Sequence, residues 1–207
     1  MKSNEPIYLA ATIKDGKIEL TVIDPYQVKE KKPEVKFADQ MFGSPVLPMF
    51  PGFVDRHWQI TTRHLQSMRH VRGYESEKHI GVDINKGGNN ADLGLPVYSC
   101  ADGQVMYAGK GPGNWGNLVV IQHRDESCFR YAHLKAITVR VGDQVQRATL
   151  IGSIGNSSGR FEAHLHMDAT ANAFMANYPT AWPGVQQRNI DQYTDPIAYI
   201  DRRAWWR

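Results

Sequence analysis

The chain has 207 residues, which is room for one hydrophobic core with an appended segment but not for two full domains. Hydrophobic residues make up 42% and charged residues 22%, and this ordinary globular composition argues against an intrinsically disordered chain. A net charge of +3, from 24 Lys and Arg against 21 Asp and Glu, is too small to predict nucleic-acid binding, although it would suit an anionic polymer.

We expect neither a membrane span nor an export signal from this sequence. No apolar stretch reaches the roughly 20 residues that a membrane-spanning helix needs, so we expect no transmembrane segment. An acid, Glu5, stands where a signal peptide would begin its apolar core, and the apolar run over residues 7–11 is short for such a core, so we expect no export signal. The two cysteines, Cys100 and Cys128, are too few for a disulfide framework, which favours packed free thiols over a bridge.

Residues 1–23 have the pattern of an N-terminal β-hairpin. Apolar residues alternate with others on both sides of Asp15-Gly16, and an Asp-Gly pair is typical of a two-residue hairpin turn. That turn places three apolar pairs on one face of the hairpin: Ile13 with Ile18, Ala11 with Leu20, and Leu9 with Val22.

The rest of the chain divides into three segments by its periodicity. Residues 24–57 have no regular apolar period and contain five prolines, which predicts a linker or a segment that wraps around the next domain. Residues 58–170 consist of short β-type runs between glycine turns, including 137–141, and predict a mainly β domain, an antiparallel sheet or sandwich with few short helices. Residues 171–207 are irregular and aromatic, and we expect them to pack on that domain as a C-terminal extension.

Two pairs of metal-binding residue types stand at short spacing in the β domain. His79 and Asp83 are four residues apart, so their side chains lie on one side of the chain if the segment is extended. His164 and His166 are two residues apart and therefore share one face of a strand. Two histidines and a carboxylate can hold a catalytic zinc ion, which leaves its fourth position to water. Either pair alone is weak evidence, because single histidines are usually packed or exposed side chains.

These pairs belong to a longer series of motifs. In chain order, the series contains Ile60-Thr61-Thr62-Arg63, His79-Ile80-Gly81-Val82-Asp83, Ala101-Asp102-Gly103-Gln104-Val105, Trp115-Gly116-Asn117, Tyr131-Ala132-His133-Leu134, Val141-Gly142-Asp143-Gln144-Val145 and His164-Leu165-His166. With this order and spacing, the chain resembles the LytM/lysostaphin family of zinc metallopeptidases, which cut peptide cross-links in bacterial peptidoglycan. The resemblance covers about residues 58–170 and is specific, because several independent motifs coincide.

The resemblance implies one zinc ion per chain and five site residues. His79, Asp83 and His166 match the three zinc ligands of the family, whereas His133 and His164 match its two catalytic histidines. In such a site the metal activates water and polarises the scissile carbonyl. One histidine takes the proton of the water and the other donates to the oxyanion. The sequence leaves open which histidine does which.

The chain departs from the family pattern beside the expected cleft. Phe161-Glu162-Ala163 stands where the family usually has Thr-Gly-Pro, Met167-Asp168 replaces Phe-Glu, and Ala148 replaces a glycine. These changes remove no ligand, so they put substrate preference in question. We interpret Glu162 as a solvated loop carboxylate rather than as a further group at the metal.

The other histidines receive structural interpretations. His123 is predicted to be structural, and three others are predicted to have surface or packing roles: His57, His64 and His70. Tyr178 and Trp182 either form walls of the cleft or are ordinary loop aromatics.

The resemblance predicts a peptidoglycan hydrolase, a zinc-dependent endopeptidase that acts on stem or cross-bridge peptides at the bacterial cell wall. Two alternatives stay open. One is a catalytically inactive relative that binds the wall or regulates another hydrolase. The other is a virion component whose hairpin and proline-rich segment dock other virion proteins. The expected lack of an export signal suits a bacteriolytic phage lysin, carried on the particle or released by lysis. All five site residues are present, which favours an active enzyme.

The sequence does not fix the bond that is cut, a glycine bridge or a direct cross-link between D-amino acids. It slightly favours direct cross-links, because little of the chain is left for wall targeting. Residues 24–57 are further expected to cover the cleft and modulate access, because upstream segments can occlude the zinc in this family.

Overall fold

A computed structural model describes residues 8–14, 17–23, 42–46, 58–68, 77–183 and 188–203. The chain divides into two compact units, residues 1–36 and residues 37–207, and each is considered by itself. The interpretations of His57 and His70, and most of the predicted linker over 24–57, fall outside the described residues.

The described part of the first unit is a β-hairpin. Strand β1 (Tyr8–Lys14) pairs antiparallel with strand β2 (Lys17–Ile23). Its register includes the three predicted pairs: Ile13 with Ile18, Ala11 with Leu20, and Leu9 with Val22.

The second unit is built mainly of antiparallel strands. They are β3 (Gln59–Thr62), β4 (Gly81–Asn85), β5 (Pro96–Tyr98), β6 (Gly103–Lys110), β7 (Asn117–His123), β8 (Cys128–Ile137), β9 (Gln144–Val145), β10 (Leu150–Ile154), β11 (Leu165–Thr170) and β12 (Tyr193–Thr194). Two short helices follow β11, namely α1 (Phe174–Asn177) and α2 (Pro196–Arg203). The predicted fold class, mainly antiparallel β with few short helices, is confirmed.

The strands form one sheet in the order β3-β4-β11-β8-β7-β6-β9. Strand β10 pairs with β5 and β8, and β12 pairs with β11. The predicted strand over 137–141 is wrong beyond Ile137, where β8 ends. The carboxylate of Asp143 accepts a hydrogen bond from the backbone N–H of Arg140 at 2.8 Å, and this contact turns the chain instead of extending the strand.

Alternate side chains of the sheet pack on two different faces. We call the face with the larger cluster the back face, and it includes Val82, Tyr131, Leu165 and Met167. The front face carries a smaller cluster, formed by Ile80, Leu118, Val120, Cys128, Ala132, Met175 and Tyr193. Both cysteines are buried free thiols, as the sequence favoured.

Residues 42–46, within the segment predicted as linker or wrapping segment, are buried on the back face. The ring of Phe42 lies 5.7 Å from Phe129 and 5.6 Å from Tyr199, measured between ring centroids. Gly43 donates its backbone N–H to the carbonyl of Cys100 at 2.7 Å. These five residues therefore pack against the core, and the predicted domain boundary at residue 58 stays a prediction.

Candidate metal centre

Three side chains predicted as metal ligands converge on the front face. The Nε2 of His79 lies 3.2 Å from the Oδ1 of Asp83 and 3.0 Å from the Nδ1 of His166. That Nδ1 lies 3.0 Å from the same Oδ1 of Asp83. Asp83 and His166 stand directly opposite each other in the pairing of β4 with β11. The strand register therefore places two of the three ligands.

A glycine allows these two strands to approach. Gly81 lies midway between His79 and Asp83, and a Cβ built on it would clash with the backbone carbonyl of Met167 in β11. A larger residue at this position would push β4 away from β11, and with it Asp83 away from His166. The glycine of the His79–Asp83 motif is thus required by a close backbone approach.

The three donors fit a zinc ion in chemistry and in spacing. Two imidazole nitrogens and one carboxylate oxygen are ligands that zinc takes in catalytic sites, with a fourth position left open. Ligand atoms around a tetrahedral zinc ion stand about 3.3–3.6 Å apart, given its bond lengths, and the three donor atoms here are only slightly closer together. His79 and His166 are nearly buried, at 7% and 5% exposure, so water competes little for their nitrogens.

A carboxylate and a guanidinium that the sequence analysis did not assign to the site lie behind His166. The Nε2 of His166 donates to the Oδ2 of Asp168 at 3.0 Å. The same oxygen accepts from the Nε of Arg130 at 3.1 Å and from a terminal nitrogen of Arg130 at 2.8 Å. Two features of the sequence could have indicated these residues. Asp168 lies two residues after His166, on the same strand face, and Arg130 interrupts an otherwise apolar strand.

Hydrogen bonds to the two carboxylates set the ionisation of this centre in the metal-free chain. Burial alone would lower the pKa of His166, but its bonds to Asp168 and Asp83 outweigh burial and raise that pKa to about 9. Burial alone would raise the pKa of Asp83, but its bonds to His166 and His79 hold it well below the usual value. Asp83 is therefore ionised and ready to bind a cation.

His133 reaches the same site through an irregularity in β8. The pairing of β7 with β8 shifts register between Asn117 and Val119, so Ala132 and His133 both stand opposite Leu118. His133 lies in this bulge with a positive φ of 59°, a conformation that redirects its side chain. Its Nδ1 lies 2.8 Å from the hydroxyl oxygen of Ser157. Burial, and then the neighbouring imidazoles of His166 and His164, lower the pKa of His133 to about 3.

His164 lies beside His133, with 4.6 Å between the ring centroids. Its Nδ1 is 2.8 Å from the backbone carbonyl of Glu162, which can only accept, so this nitrogen carries the proton. With this tautomer the lone pair lies on Nε2, which is 3.8 Å from the Oδ1 of Asp83. The side chain of Glu162 is exposed, as interpreted from the sequence.

All five predicted site residues line one cleft of about 410 Å³, with Trp115, Phe161 and Trp182 among its walls. Trp182 thus lines the cleft, whereas Tyr178 is 60% exposed and contacts the ring of Phe174 at a tilted angle outside it.

The two remaining described histidines bond to backbone carbonyls, and neither lines the cleft. His123 is buried and its Nδ1 lies 3.0 Å from the carbonyl of Asp102. The Nδ1 of His64 lies 3.0 Å from the carbonyl of Ile80. These contacts agree with the structural role predicted for His123 and with the surface or packing role predicted for His64.

Comparison with known proteins identifies the family of this domain. The profile of peptidase family M23 matches residues 77–177, which include all five site residues. The chain also covers 76% of lipoprotein NlpD from Yersinia enterocolitica, with 35% identity over 75 residues, or 36% of this chain. The chain belongs to peptidase family M23. The LytM/lysostaphin resemblance is therefore confirmed.

Other relatives of this M23 chain are longer proteins. Peptidoglycan DD-endopeptidase ShyA from Vibrio cholerae is 34% identical over 154 residues, which is 72% of this chain and 34% of ShyA. Cell division protein DipM from Caulobacter vibrioides is 39% identical over 78 residues, which is 38% of this chain and 13% of DipM. The chain thus spans about a third or less of these two relatives.

Among solved structures, lysostaphin from Staphylococcus simulans superposes with a TM-score of 0.57. The superposition covers 81% of this chain and 56% of lysostaphin, at 20% sequence identity. At this identity, the match shows the shared M23 fold. None of the helices in the described ranges is long and apolar enough to cross a membrane.

Proposed function

We propose that this M23 domain is a zinc-dependent endopeptidase that hydrolyses cross-link peptide bonds of bacterial peptidoglycan. The observation that carries the proposal is the convergence of His79, Asp83 and His166 beside two further histidines in one cleft. This arrangement brings together three ligands that could hold a metal ion, a proton acceptor and a hydrogen-bond donor.

The metal would be held by the Nε2 of His79, the Oδ1 of Asp83 and the Nδ1 of His166. A zinc ion there supplies Lewis acidity and lowers the pKa of water in its open position. Asp168 accepts a hydrogen bond from the Nε2–H of His166 and keeps that proton on Nε2. The ring would then bind the metal through Nδ1 after losing its Nδ1 proton.

The hydrogen bonds of the two other histidines suggest different roles for them. The Nε2 of His164 has a free lone pair, because its Nδ1 donates to a backbone carbonyl. We assign His164 as the general base that takes a proton from the attacking water and passes it to the leaving amine as the C–N bond breaks.

His133 is then the hydrogen-bond donor to the carbonyl oxygen of the substrate. If the hydroxyl of Ser157 donates to its Nδ1, the proton of the neutral ring lies on Nε2. The low pKa of His133 keeps the ring neutral. In this tautomer the Nε2–H can stabilise the developing negative charge on the carbonyl oxygen of the substrate.

Peptidoglycan is the proposed substrate, because relatives in this family include a protein named as a peptidoglycan DD-endopeptidase. That relative also supports the choice of direct cross-links between D-amino acids over glycine bridges. Action at the cell wall follows from this substrate. A phage origin and docking to virion proteins have no support among the relatives described above, and they stay predictions from the sequence.

A second candidate function is an inactive module that regulates another wall hydrolase. It is favoured by the 33% identity over 88 residues with a protein of Escherichia coli named as the murein hydrolase activator NlpD. Retention of all five site residues in one cleft argues for an active enzyme instead.

Digestion of purified sacculi separates the two functions. We expect the wild-type chain, loaded with zinc, to release uncross-linked peptides that mass spectrometry assigns to one bond type. His166→Ala and chelator-treated protein should release none. Intact sacculi with zinc demonstrably bound to the wild type would contradict the endopeptidase and favour the regulatory module.

A further inference from the structure

Behind His166, a buried ion pair contacts the imidazole of this metal-ligand candidate. Arg130 and Asp168 are both fully buried, and a nitrogen of Arg130 lies 2.8 Å from the Oδ2 of Asp168. Because that oxygen also accepts the Nε2–H of His166, one carboxylate oxygen joins the guanidinium to the imidazole. The other oxygen, Oδ1, has no hydrogen-bond partner within the described part of the chain.

The guanidinium of Arg130 makes three further contacts. The other terminal nitrogen of Arg130 donates to the carbonyls of Pro179 at 3.1 Å and Ala181 at 2.8 Å. The guanidinium carbon lies 4.2 Å from the ring centroid of Trp115, which lines the cleft. A group with this many fixed contacts has one orientation, so the carboxylate that it holds has one orientation as well.

We infer that Arg130 and Asp168 are positioning residues for zinc binding. The pair fixes the ring of His166 in the tautomer and rotation that point its Nδ1 at Asp83 and His79. Carboxylates that accept the second N–H of a metal-binding histidine raise its basicity and orient its ring. The inference deepens the proposed function, because it concerns the same metal site.

A purely structural role makes a different prediction. Buried ion pairs often stabilise a fold no better than apolar residues of similar size, because desolvation offsets the attraction between the charges. If the pair served only the fold, replacing both partners together would leave zinc binding intact. If the pair positions His166, zinc binding weakens even in a variant that folds well.

The test compares zinc affinity in purified full-length variants, by competition with a chromophoric chelator. In Arg130→Met/Asp168→Leu both charges are removed together, so no unpaired charge is left buried. We expect this double variant to unfold with a midpoint near that of the wild type and to bind zinc about 10- to 100-fold more weakly. Asp168→Asn, which keeps the size of the side chain, should weaken zinc binding in the same direction.

Asp125→Asn is the matched control. Asp125 accepts hydrogen bonds from Ser127 and from the hydroxyl of Tyr199, and it contacts none of the three metal ligands. Its substitution should reduce stability and leave zinc affinity within twofold of the wild type. This control separates loss of a carboxylate in general from loss of the carboxylate behind His166.

The outcomes separate this inference from the proposed function. If the wild type fails to bind zinc, both are wrong. If the wild type binds zinc and the folded double variant binds it equally well, the positioning role is overturned while the proposed function stands. If the double variant does not fold, Asp168→Asn decides: unchanged zinc affinity in that variant overturns the inference, and weakened affinity supports it.

Discussion

The front and back faces of the sheet each bury a histidine, and their surroundings give the two rings opposite chemistry. His166, on the front face, is 5% exposed and contacts a carboxylate through each nitrogen. His123 is 3% exposed and packs against Phe42 and Phe129 on the back face. Its Nδ1 bonds a backbone carbonyl, and its Nε2 has no partner among the described residues.

Equal burial therefore does not mean equal ionisation. The two carboxylates raise the pKa of His166 to about 9 against the effect of burial. Burial lowers the pKa of His123 to about 4, because its hydrogen bond to one backbone carbonyl offsets little of the effect of burial. The charge of the hydrogen-bond partners, rather than depth, distinguishes a histidine suited to a cation site from one that serves packing.

The largest effect is expected from replacing His164, a front-face histidine that is not one of the three metal ligands. This replacement tests whether His164 acts only in proton transfer. We expect His164→Gln to lower kcat on cross-linked peptidoglycan fragments by about 10²- to 10⁴-fold, the usual contribution of a general base. Zinc affinity should stay within twofold, because His164 is not one of the three donors. A large loss of zinc from this variant would show that His164 is a ligand and that the division of roles is wrong.

The pH dependence of stability tests the back-face histidine. The pKa of His123 is about 4 in the folded chain against an ordinary value of 6.5, so the unfolded chain binds a proton first as pH falls. Stability should therefore be at its full value above pH 6.5 and decrease between pH 6.5 and 4, by about 3 kcal/mol from this residue.

Urea unfolding across this pH range checks the prediction, with His123→Asn as the comparison. The amide N–H of asparagine can replace the bond to the Asp102 carbonyl but does not titrate. The variant should be less stable at pH 7 because its smaller side chain leaves a cavity. Its stability should decrease less between pH 6.5 and 4, and an equal slope in both proteins would rule out His123 as the source.

A smaller effect is expected where the two ligand strands approach. Gly81→Ala should destabilise the chain by about 1–3 kcal/mol, as overpacking usually does, and weaken zinc binding by separating Asp83 from His166. Gly88→Ala is the control, because a Cβ at Gly88 meets nothing within 4 Å. Unchanged zinc affinity in Gly81→Ala would mean that the strand contact does not set the ligand spacing.

The smallest effect concerns the orientation of His133. Ser157→Ala removes the partner of its Nδ1, 2.8 Å away, without touching a metal ligand. We expect kcat to decrease by up to about tenfold, which corresponds to the net free energy of one hydrogen bond. Zinc affinity should stay unchanged. Steady-state kinetics on a soluble cross-linked fragment measures this change. A kcat equal to that of the wild type would show that Ser157 does not orient His133 for catalysis.

The sequence predicts the metal half of the site better than its surroundings. The spacing of His79 from Asp83 shows which side of an extended chain these side chains share, and the family resemblance adds His166 to the set. The β4–β11 register that brings Asp83 opposite His166 is visible only in the structure. The position of His133 depends on a bulge with a positive φ, and the pattern of apolar residues does not predict this bulge. The roles of all these residues stay predictions until the variants above are measured.

Two other features escaped sequence analysis for a different physical reason. Residues 42–46 carry no periodicity, so their burial against Phe129 and Tyr199 depends on tertiary contacts alone. Arg130 in an apolar strand signals an unusual buried partner, but which partner is visible only when β8 and β11 are placed side by side. Contacts between distant segments are what single-sequence patterns leave undetermined.

Anomalous diffraction at the zinc absorption edge, from crystals grown with zinc, shows whether His79, Asp83 and His166 bind the metal. We expect one strong peak per chain, bound by the Nε2 of His79, the Oδ1 of Asp83 and the Nδ1 of His166, with the Nε2 of His166 still hydrogen-bonded to Asp168. A chain without a peak at these residues, or with zinc on the Nε2 of His166, would contradict this expectation.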